Sequence, residues 1–230
     1  MTAEKANPLA DLDIQLESTA EQVAAALREA IIDGRLAQGT YLRETALSER
    51  FNVSRNTIRE ATQILVGERL ATRRMHRGAY VSRLGADDVH DVYRVRRLIE
   101  LPAVKAVPKL DRDELRSAVR AFAHAIEVDD RRAIADADLR FHRGIVRGME
   151  SERLEGLFEG LEGELRLCMA LVGGSYPDLD GTLRDHGRIL SALDDGDGDR
   201  ARELLGVHLE GAERGIAGVL ALREAHPTAE

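Results

Sequence analysis

The stretch TALSERFNVSRNTIREATQILVGERL, residues 45–70, decides how the first part of the chain folds. Two short amphipathic helices fit it, because apolar residues recur at the three- and four-residue spacing of a helix face. Those apolar positions are Leu47, Phe51, Ile58, Ala61 and Leu65. Between the helices, Asn52 tolerates a turn conformation, Val53 fills the angle, and Ser54 can cap the second helix. This layout predicts a helix-turn-helix.

The second of these helices is the predicted DNA reader, because recognition helices contact base edges with their N-terminal residues. Its outward first turn displays Arg55, Asn56, Thr57 and Arg59. An arginine donates to phosphate or guanine, an asparagine pairs with adenine, and the methyl group of a threonine contacts thymine. Double-stranded DNA is therefore the expected partner of this face.

The next segment, RLATRRMHRGAYVSR at residues 69–83, predicts two short strands joined at His76, Arg77 and Gly78. Directly after a helix-turn-helix, a hairpin with a basic tip is typical of a wing that contacts phosphate or the minor groove, although an ordinary surface hairpin is the alternative.

Residues 35–83 hold ten arginines against four acidic residues, while the whole chain has a formal net charge of -8. This asymmetry favours a nucleic-acid partner, with a solvated basic face as the alternative.

Composition bounds the rest of the molecule. The chain has 230 residues, which suits one large or two modest domains. Hydrophobic residues make up 43% and aromatic residues 3%, with no tryptophan, so the core must be aliphatic and helices are favoured. The single cysteine, Cys168, excludes a disulfide framework and a cysteine-based zinc site. No apolar run approaches the roughly 18 residues of a membrane span and no signal pattern is visible, so we expect a cytoplasmic protein.

After Asp87 the periodicity is helical throughout, with acidic residues and glycines between the helices. The predicted helices span residues 87–107, 111–127, 131–149, 151–173, 178–195 and 198–224. The expected fold is mainly α, with an N-terminal winged helix-turn-helix followed by an all-α antiparallel helical bundle. We expect a flexible arm over residues 1–17, a DNA-binding domain over 18–84, and a helical domain over 85–226.

One predicted helix carries polar residues on its apolar stripe. In ADADLRFH, residues 135–142, Asp138 and His142 lie four residues apart, on the face that also holds Ile145 and Met149. That face is expected to be buried. A carboxylate and an imidazole in a core need partners, because burying unpaired polar groups costs several kcal/mol.

Two later helices repeat this feature. His186 falls among the apolar positions of one stripe, and His208 among those of another. A bundle that turns the three stripes toward one axis would bring a carboxylate and three imidazoles together, and these are ligands of zinc, nickel, manganese or iron. Alternatively, each histidine is a core residue bonded to a backbone carbonyl group. The pattern alone leaves both interpretations open.

The segments IIDGRLAQGTYLRETALSERFNVSRNTIREATQIL and ERLATRRMHRGAYV resemble the winged helix-turn-helix of the GntR family of bacterial transcription regulators, over residues 19–83. The resemblance implies that Arg55, Arg59 and the wing glycine Gly78 contact DNA.

The chain departs from that family pattern at a few positions. Gln38 and Thr57 stand where the family usually or often has proline, and the second change bears on operator preference. Thr45 stands where some relatives place an arginine that contacts DNA. Neighbouring Arg43 is expected to serve the phosphates there.

The C-terminal part resembles the all-helical ligand-binding domain of FadR-type GntR regulators, through VRRLIELPA, DLRFHRGI, DHGRIL and VHLEG. The resemblance implies a divalent transition metal, with zinc expected first and nickel, manganese or iron as alternatives. Metal-binding members of that group place their ligands at positions that match Asp138, His142, His186 and His208. Relatives often have an asparagine shortly after the helix that carries Asp138 and His142. This chain has GMESERL there, and the difference removes no metal ligand.

Arg96 is a further candidate. The resemblance implies that Arg96 helps to hold a carboxylate effector beside the metal, and the planar guanidinium group suits bidentate pairing with a carboxylate. The alternative is an Arg96–Glu100 pair, four residues apart on a helix surface. Both interpretations stay open.

These observations favour a metal-containing transcription regulator, expected to be a repressor and not an enzyme. A homodimer would bind a palindromic operator, since two-fold protein symmetry matches DNA half-sites, and a small organic acid would change its operator affinity. The helical domain would bind metal and effector and form the dimer.

The alternatives are a metal-dependent enzyme with a DNA-binding domain and a direct metal sensor. No glutamate or serine has a convincing place as general base or nucleophile, which argues against the enzyme.

Overall fold

The computed structural model describes residues 18–75, 77–172 and 178–225. The first part comprises α1 (Thr19–Ile32), α2 (Glu44–Phe51), α3 (Arg55–Gly67), β1 (Ala71–Arg74) and β2 (Gly78–Val81). The second part comprises α4 (Ala86–Ala103), a short 3-10 helix (Val107–Lys109), α5 (Arg112–Glu127), α6 (Arg131–Arg147), α7 (Glu152–Val172), α8 (Leu179–Asp194) and α9 (Gly198–Ala225). The predicted fold class, a winged helix-turn-helix followed by a helical domain, is confirmed. The predicted arm over residues 1–17 lies outside the described residues, as do wing residue His76 and position 226.

The turn between α2 and α3 has the geometry that its residues predict. Asn52 ends α2 in the left-handed conformation, with φ of 54° and ψ of 45°, which asparagine tolerates. The Ser48 hydroxyl donates to the carbonyl oxygen of Val53 at 2.6 Å. The Ser54 hydroxyl accepts a hydrogen bond from the backbone N–H of Thr57 at 3.0 Å and so caps α3. These bonds fix the angle at which α3 leaves the turn.

The two strands form the predicted wing, an antiparallel pair in which Arg74 lies opposite Gly78. Tyr41 forms a further bridge to Tyr80, and the two rings stack with their centroids 4.9 Å apart. Gly78 has a φ of 82°, and a Cβ atom there would lie 2.7 Å from Cε2 of Tyr41. The backbone conformation and the tyrosine stack therefore both require glycine at this position.

In the second part, α4, α6, α8 and α9 surround the centre of the domain. α5 packs on α6 and α8, α4 packs on α6, α7 and α9, and α8 packs on α9. α5 and α6 both begin after an aspartate, Asp111 and Asp130, whose carboxylate accepts two backbone N–H groups of the first turn. Among the described residues, no helix combines the length and the apolar character that a membrane crossing requires.

Two helices end earlier than the sequence pattern predicts. α4 ends at Ala103, four residues before its predicted end, and the chain continues into the short 3-10 helix Val107–Lys109. α6 ends at Arg147, and Glu150 then adopts a left-handed φ of 48° that redirects the chain. Met149 is consequently 37% exposed. The interpretation that placed Met149 on the buried stripe of α6 was wrong.

The two parts of the chain meet where the end of α3 touches α7. A Cβ atom at Gly163 in α7 would overlap the backbone carbonyl group of Glu68, so the two backbones approach as closely as glycine allows. A second contact joins α6 to α1, since Nε of Arg132 donates to Oδ1 of Asp33 at 2.8 Å. The helical domain thus touches the winged helix-turn-helix part at the base of α3 and at the end of α1.

The contact at Gly163 predicts that alanine at this position destabilises the protein. Gly163→Ala should force α7 away from Glu68 and lower the free energy of unfolding by about 1–3 kcal/mol. Gly160→Ala is the matched control, because no atom lies within 4 Å of a Cβ atom built there. In the control, alanine should raise the free energy of unfolding by about 0.5–1 kcal/mol. Denaturant titration measures both changes, and equal effects of the two substitutions would contradict the close packing.

Candidate metal centre and DNA interface

Four buried side chains of ligand type converge where α6, α8 and α9 meet. α6 supplies Asp138 and His142, one turn apart, while α8 supplies His186 and α9 supplies His208. Their ligand atoms all lie within 4.8 Å of one another, and none of the four residues is more than 5% exposed. The structure therefore brings together all four residues that the sequence predicts as metal ligands.

The distances between these atoms suit one divalent ion. Nε2 of His142 lies 3.2 Å from Nε2 of His208. Oδ1 of Asp138 lies 3.5 Å from Nε2 of His186 and 3.9 Å from Nε2 of His142. Atoms bound to one ion at about 2.0–2.2 Å lie about 3.2–3.6 Å apart in a tetrahedral zinc site, and up to about 4.4 Å apart on opposite sides of a six-coordinate ion. The two shortest distances already match the tetrahedral spacing, and the wider pairs, which reach at most 4.8 Å, would have to close around the ion.

His186 is the ligand candidate that most lacks a partner in the protein. Its ring stacks on Phe141 with centroids 4.3 Å apart and meets the edge of Phe122 at 5.4 Å. Among the described residues, neither ring nitrogen of His186 has a hydrogen-bond partner. A buried polar group in that state costs about 1–3 kcal/mol. A metal bond to Nε2 would satisfy one of the two nitrogens.

Burial also holds two of the histidines in the form that binds metal. Burial lowers the pKa of His142, although the nearby carboxylates of Glu100 and Asp138 oppose this shift. Burial lowers the pKa of His186 well below its ordinary value, and the neighbouring imidazoles add to the effect. A neutral imidazole keeps a lone pair for a metal. Neutral imidazoles with one carboxylate are a donor set typical of transition-metal sites.

Glu100 in α4 is a candidate residue whose role the sequence analysis missed. Its carboxylate accepts from Nδ1 of His142 at 2.6 Å and from Nε of Arg96 at 2.7 Å. Burial alone would raise the pKa of Glu100, but the charge of Arg96 and the contact with His142 lower it to about 2. The Arg96–Glu100 pair exists, but its expected surface location was wrong, because α6 and α9 pack against α4 and bury it. Only the four-residue spacing from Arg96 signalled this pair.

Arg96 keeps part of its guanidinium group free. Its Cζ atom lies 4.9 Å from the centroid of the Tyr93 ring. In the part of the chain that the structure describes, Nη2 of Arg96 and the hydroxyl group of Tyr93 have no hydrogen-bond partner. Burial raises the pKa of Tyr93, so its hydroxyl group stays protonated. The two side chains can therefore present donors to a buried anion.

The predicted DNA contacts lie at the start of α2, within the first five residues of α3 and on the wing. Six of the eight are exposed and two are half-buried. They are Arg43, Thr45, Arg55, Asn56, Thr57, Arg59, Arg77 and Gly78. Two of them are bonded to acidic neighbours, since Nε of Arg59 donates to Glu44 at 2.8 Å and Nδ2 of Asn56 donates to Glu60 at 2.7 Å. The sequence analysis did not anticipate these acidic partners.

Family models match both parts of the chain. The model for bacterial regulatory proteins of the gntR family matches residues 19–81, and the model for the FCD domain matches residues 91–211. The chain belongs to the GntR family. Its C-terminal FCD domain is the FadR-type domain, as the sequence resemblance implies.

Relatives of this GntR-family protein are transcription regulators. The gluconate operon transcriptional repressor of Bacillus licheniformis is 31% identical over 79% of this chain and 78% of its own. The "Probable D-xylose utilization operon transcriptional repressor" of Paenarthrobacter nicotinovorans is 29% identical over 83% of this chain and 87% of its own. A crystal structure of a GntR transcriptional regulator from Rhodococcus sp. RHA1 matches with a TM-score of 0.78 and 31% identity, over 88% of this chain and 99% of that one. The family consists of regulators, not enzymes, which sets aside the enzyme alternative.

His186→Leu separates the cost of an unpaired imidazole from the benefit of a metal. Leucine carries no polar atom and fills much of the space beside Phe122 and Phe141. With a chelator present, the variant of this GntR-family protein should be more stable than the parent by about 1–3 kcal/mol. With zinc, the parent should gain more stability than the variant, because the variant lacks one ligand.

Thermal unfolding in EDTA and in zinc measures both effects. The control is His124→Leu, which changes an exposed histidine of α5 and should behave like the parent in both conditions. A His186→Leu variant that zinc stabilises as much as the parent would argue against a metal ligand at this position.

Proposed function

We propose that this GntR-family protein represses transcription from a palindromic operator, and that a small carboxylate bound beside a divalent metal changes its operator affinity. The observation that carries the proposal is the buried cluster of Asp138, His142, His186 and His208. Residues 18–84 are the proposed DNA-binding domain, and residues 85–226 the proposed effector and dimerisation domain. Two relatives are named as operon repressors, which supports repression.

The winged head is the proposed DNA-binding surface. α3 would enter the major groove with Arg55, Asn56 and Arg59 at its leading end, and Arg77 on the wing would reach the phosphates. Two heads related by two-fold symmetry match a palindromic operator, which is why we propose a homodimer. Because the operator lies in the bacterial cytoplasm, the protein would work there.

A divalent ion, zinc in the first place, would be held by the three histidines and Asp138. Nickel, manganese and iron are the alternatives, since imidazole and carboxylate ligands suit them too. The ion would supply a fixed positive charge in a site closed to water. The chain would supply the neutral imidazoles and the orientation of each ligand.

A carboxylate is the proposed effector because of the charges buried at this centre. A divalent ion and Arg96 bring three positive charges, whereas Asp138 and Glu100 bring two negative ones. One negative charge would balance the buried groups, and uncompensated buried charge is costly. Nη2 of Arg96 and the hydroxyl group of Tyr93, unpaired among the described residues, would bind the carboxylate oxygens. A small monocarboxylate fits these requirements.

α6 connects the proposed metal centre to the DNA-binding head. It carries Asp138 and His142 at the centre, and at its first turn Arg132 bonds Asp33 at the end of α1. A ligand that shifts α6 would therefore change the position of the head. For this to regulate transcription, the effector must bind one arrangement more tightly than the other.

A direct metal sensor is the second candidate function. The same helix favours it, since α6 carries two metal ligands and the contact with α1. Zinc titrated into metal-free protein at a fixed operator concentration separates the two candidates. If zinc alone switches operator binding and no organic acid changes it further, the sensor is the better description.

Operator binding should depend steeply on salt and on the arginines of α3. Raising salt from roughly 50 to 200 mM should weaken binding by roughly two orders of magnitude or more, because phosphate contacts release counterions. Arg55→Ala and Arg59→Ala should each cost about 1–3 kcal/mol. Fluorescence anisotropy with a palindrome obtained by in vitro selection measures the affinities, and Arg200→Ala on the exposed start of α9 is the control. A flat salt profile would overturn the DNA-binding role.

Tyr93→Phe tests the effector site with little disturbance, because the Tyr93 hydroxyl group has no partner among the described residues. The variant should keep the parent's stability or exceed it. Its affinity for a monocarboxylate found by thermal-shift screening should fall by about 0.5–1.5 kcal/mol, the value of one hydrogen bond. Calorimetric titration measures this loss, with Tyr80→Phe in the wing as the control. Unchanged affinity would place the effector away from Tyr93.

A further inference from the structure

We infer that Glu100 is a positioning residue of the proposed metal site, and that it orients His142 so that Nε2 faces the ion. The inference rests on the proposed function, because it concerns how that site holds its metal. Glu100 belongs to α4 and His142 to α6, so the contact joins two helices across the core of the domain. Glu100 is not itself one of the four converging ligand candidates.

The geometry at His142 carries the inference. Oε2 of Glu100 lies 2.6 Å from Nδ1 of His142, and both side chains are fully buried. An ionised carboxylate only accepts hydrogen bonds, so Nδ1 carries the ring proton and Nε2 carries the lone pair. That Nε2 lies 3.2 Å from Nε2 of His208 and 3.9 Å from Oδ1 of Asp138. One contact thus fixes both the tautomer and the direction of the ring.

Arg96 in turn fixes the carboxylate of Glu100. Nε of Arg96 donates to Oε1 at 2.7 Å, which leaves Oε2 for His142. Each carboxylate oxygen has its own partner, so the group cannot rotate without losing a bond. The guanidinium group is itself held against the ring of Tyr93, with 4.9 Å between Cζ and the ring centroid. A connected set of side chains therefore leads from the proposed effector donors to a proposed metal ligand.

The other two histidines have weaker support. Nδ1 of His208 lies 3.8 Å from Oδ2 of Asp185, and the Asp185 side chain is 36% exposed. Within the described parts of the chain, Nδ1 of His186 has no hydrogen-bond partner. Of the three histidines, His142 is thus the one backed by a buried carboxylate at hydrogen-bond distance. Loss of Glu100 should therefore weaken metal binding more than loss of Asp185.

The zinc affinity of the full-length protein, measured by competition with a chromophoric chelator, tests the inference. Glu100→Asp keeps the charge that Arg96 needs but draws the carboxylate away from His142. Glu100→Gln keeps the length of the side chain but loses the charge. Each variant should bind zinc about 10–100-fold more weakly than the parent. The matched control, Asp185→Asn, should show a smaller loss.

A second readout distinguishes positioning from a general loss of stability. The visible spectrum of the cobalt-loaded protein reports ligand geometry, and it should change in the Glu100 variants while circular dichroism shows that they remain folded. A folded variant with the parent's zinc affinity and cobalt spectrum overturns the inference. A parent that binds no divalent metal overturns the proposed metal site, and this inference with it.

If neither Glu100 variant folds, the parent itself decides the question. Long-range proton–nitrogen NMR of the zinc-loaded parent identifies which nitrogen of His142 carries the proton. The expected result is a proton on Nδ1 and a metal bond at Nε2. The reverse assignment overturns the inference.

Discussion

Polar side chains buried inside the helical domain must find partners in a core from which water is excluded. The core around the proposed metal centre is otherwise largely apolar, with Phe122 and Phe141 among its side chains, yet it holds one aspartate, three histidines and an arginine–glutamate pair. Removing such groups from water costs several kcal/mol each unless they bind one another or an ion. Glu100 accepts hydrogen bonds from Nε of Arg96 and from Nδ1 of His142. Nε2 of His186 and Oδ1 of Asp138 lie 3.5 Å apart without a hydrogen bond, and among the described residues neither ring nitrogen of His186 has a partner. A divalent ion is the kind of group that would supply the missing interaction.

The same helices connect this centre to the DNA-reading head. α6 carries two of the ligand candidates, and Arg132 in its first turn bonds Asp33 of α1. α7 packs on α6, and Gly163 in α7 lies against the backbone at Glu68, immediately after α3. Packed interiors resist continuous deformation and shift between a few discrete arrangements. If a ligand shifts α6 or α7, as proposed, these contacts would carry the change to the base of α3. This architecture is what a regulator with a remote effector site needs.

Sequence periodicity predicted that Asp138, His142, His186 and His208 are buried, because each of them lies on an apolar stripe whose burial the helix period determines. Their role as metal ligands stays a prediction. The turn at Asn52 was equally predictable, since few residues adopt a left-handed conformation without strain. The burial of the Arg96–Glu100 pair was not predictable. Two charges four residues apart usually lie on a solvent-exposed face, and only the packing of α6 and α9 against α4 reverses this. Met149 was misplaced because the predicted helix was extended through Gly148, whereas α6 ends at Arg147 with Gly148 as its C-cap.

The acidic partners on the head bear on how a basic helix could discriminate between DNA sequences. Nε of Arg59 donates to Glu44 and Nδ2 of Asn56 donates to Glu60, so each side chain has one donor engaged by an acidic neighbour before DNA arrives. If they contact bases, as proposed, binding exchanges one set of hydrogen bonds for another. A correct base would replace the hydrogen bonds that Arg59 and Asn56 make to Glu44 and Glu60. A wrong base would leave Arg59 or Asn56 poorly paired. It would also leave the two carboxylates close to the DNA phosphates. Such an exchange weakens binding to all DNA but weakens it most at incorrect sites, so the acids would favour specificity over affinity.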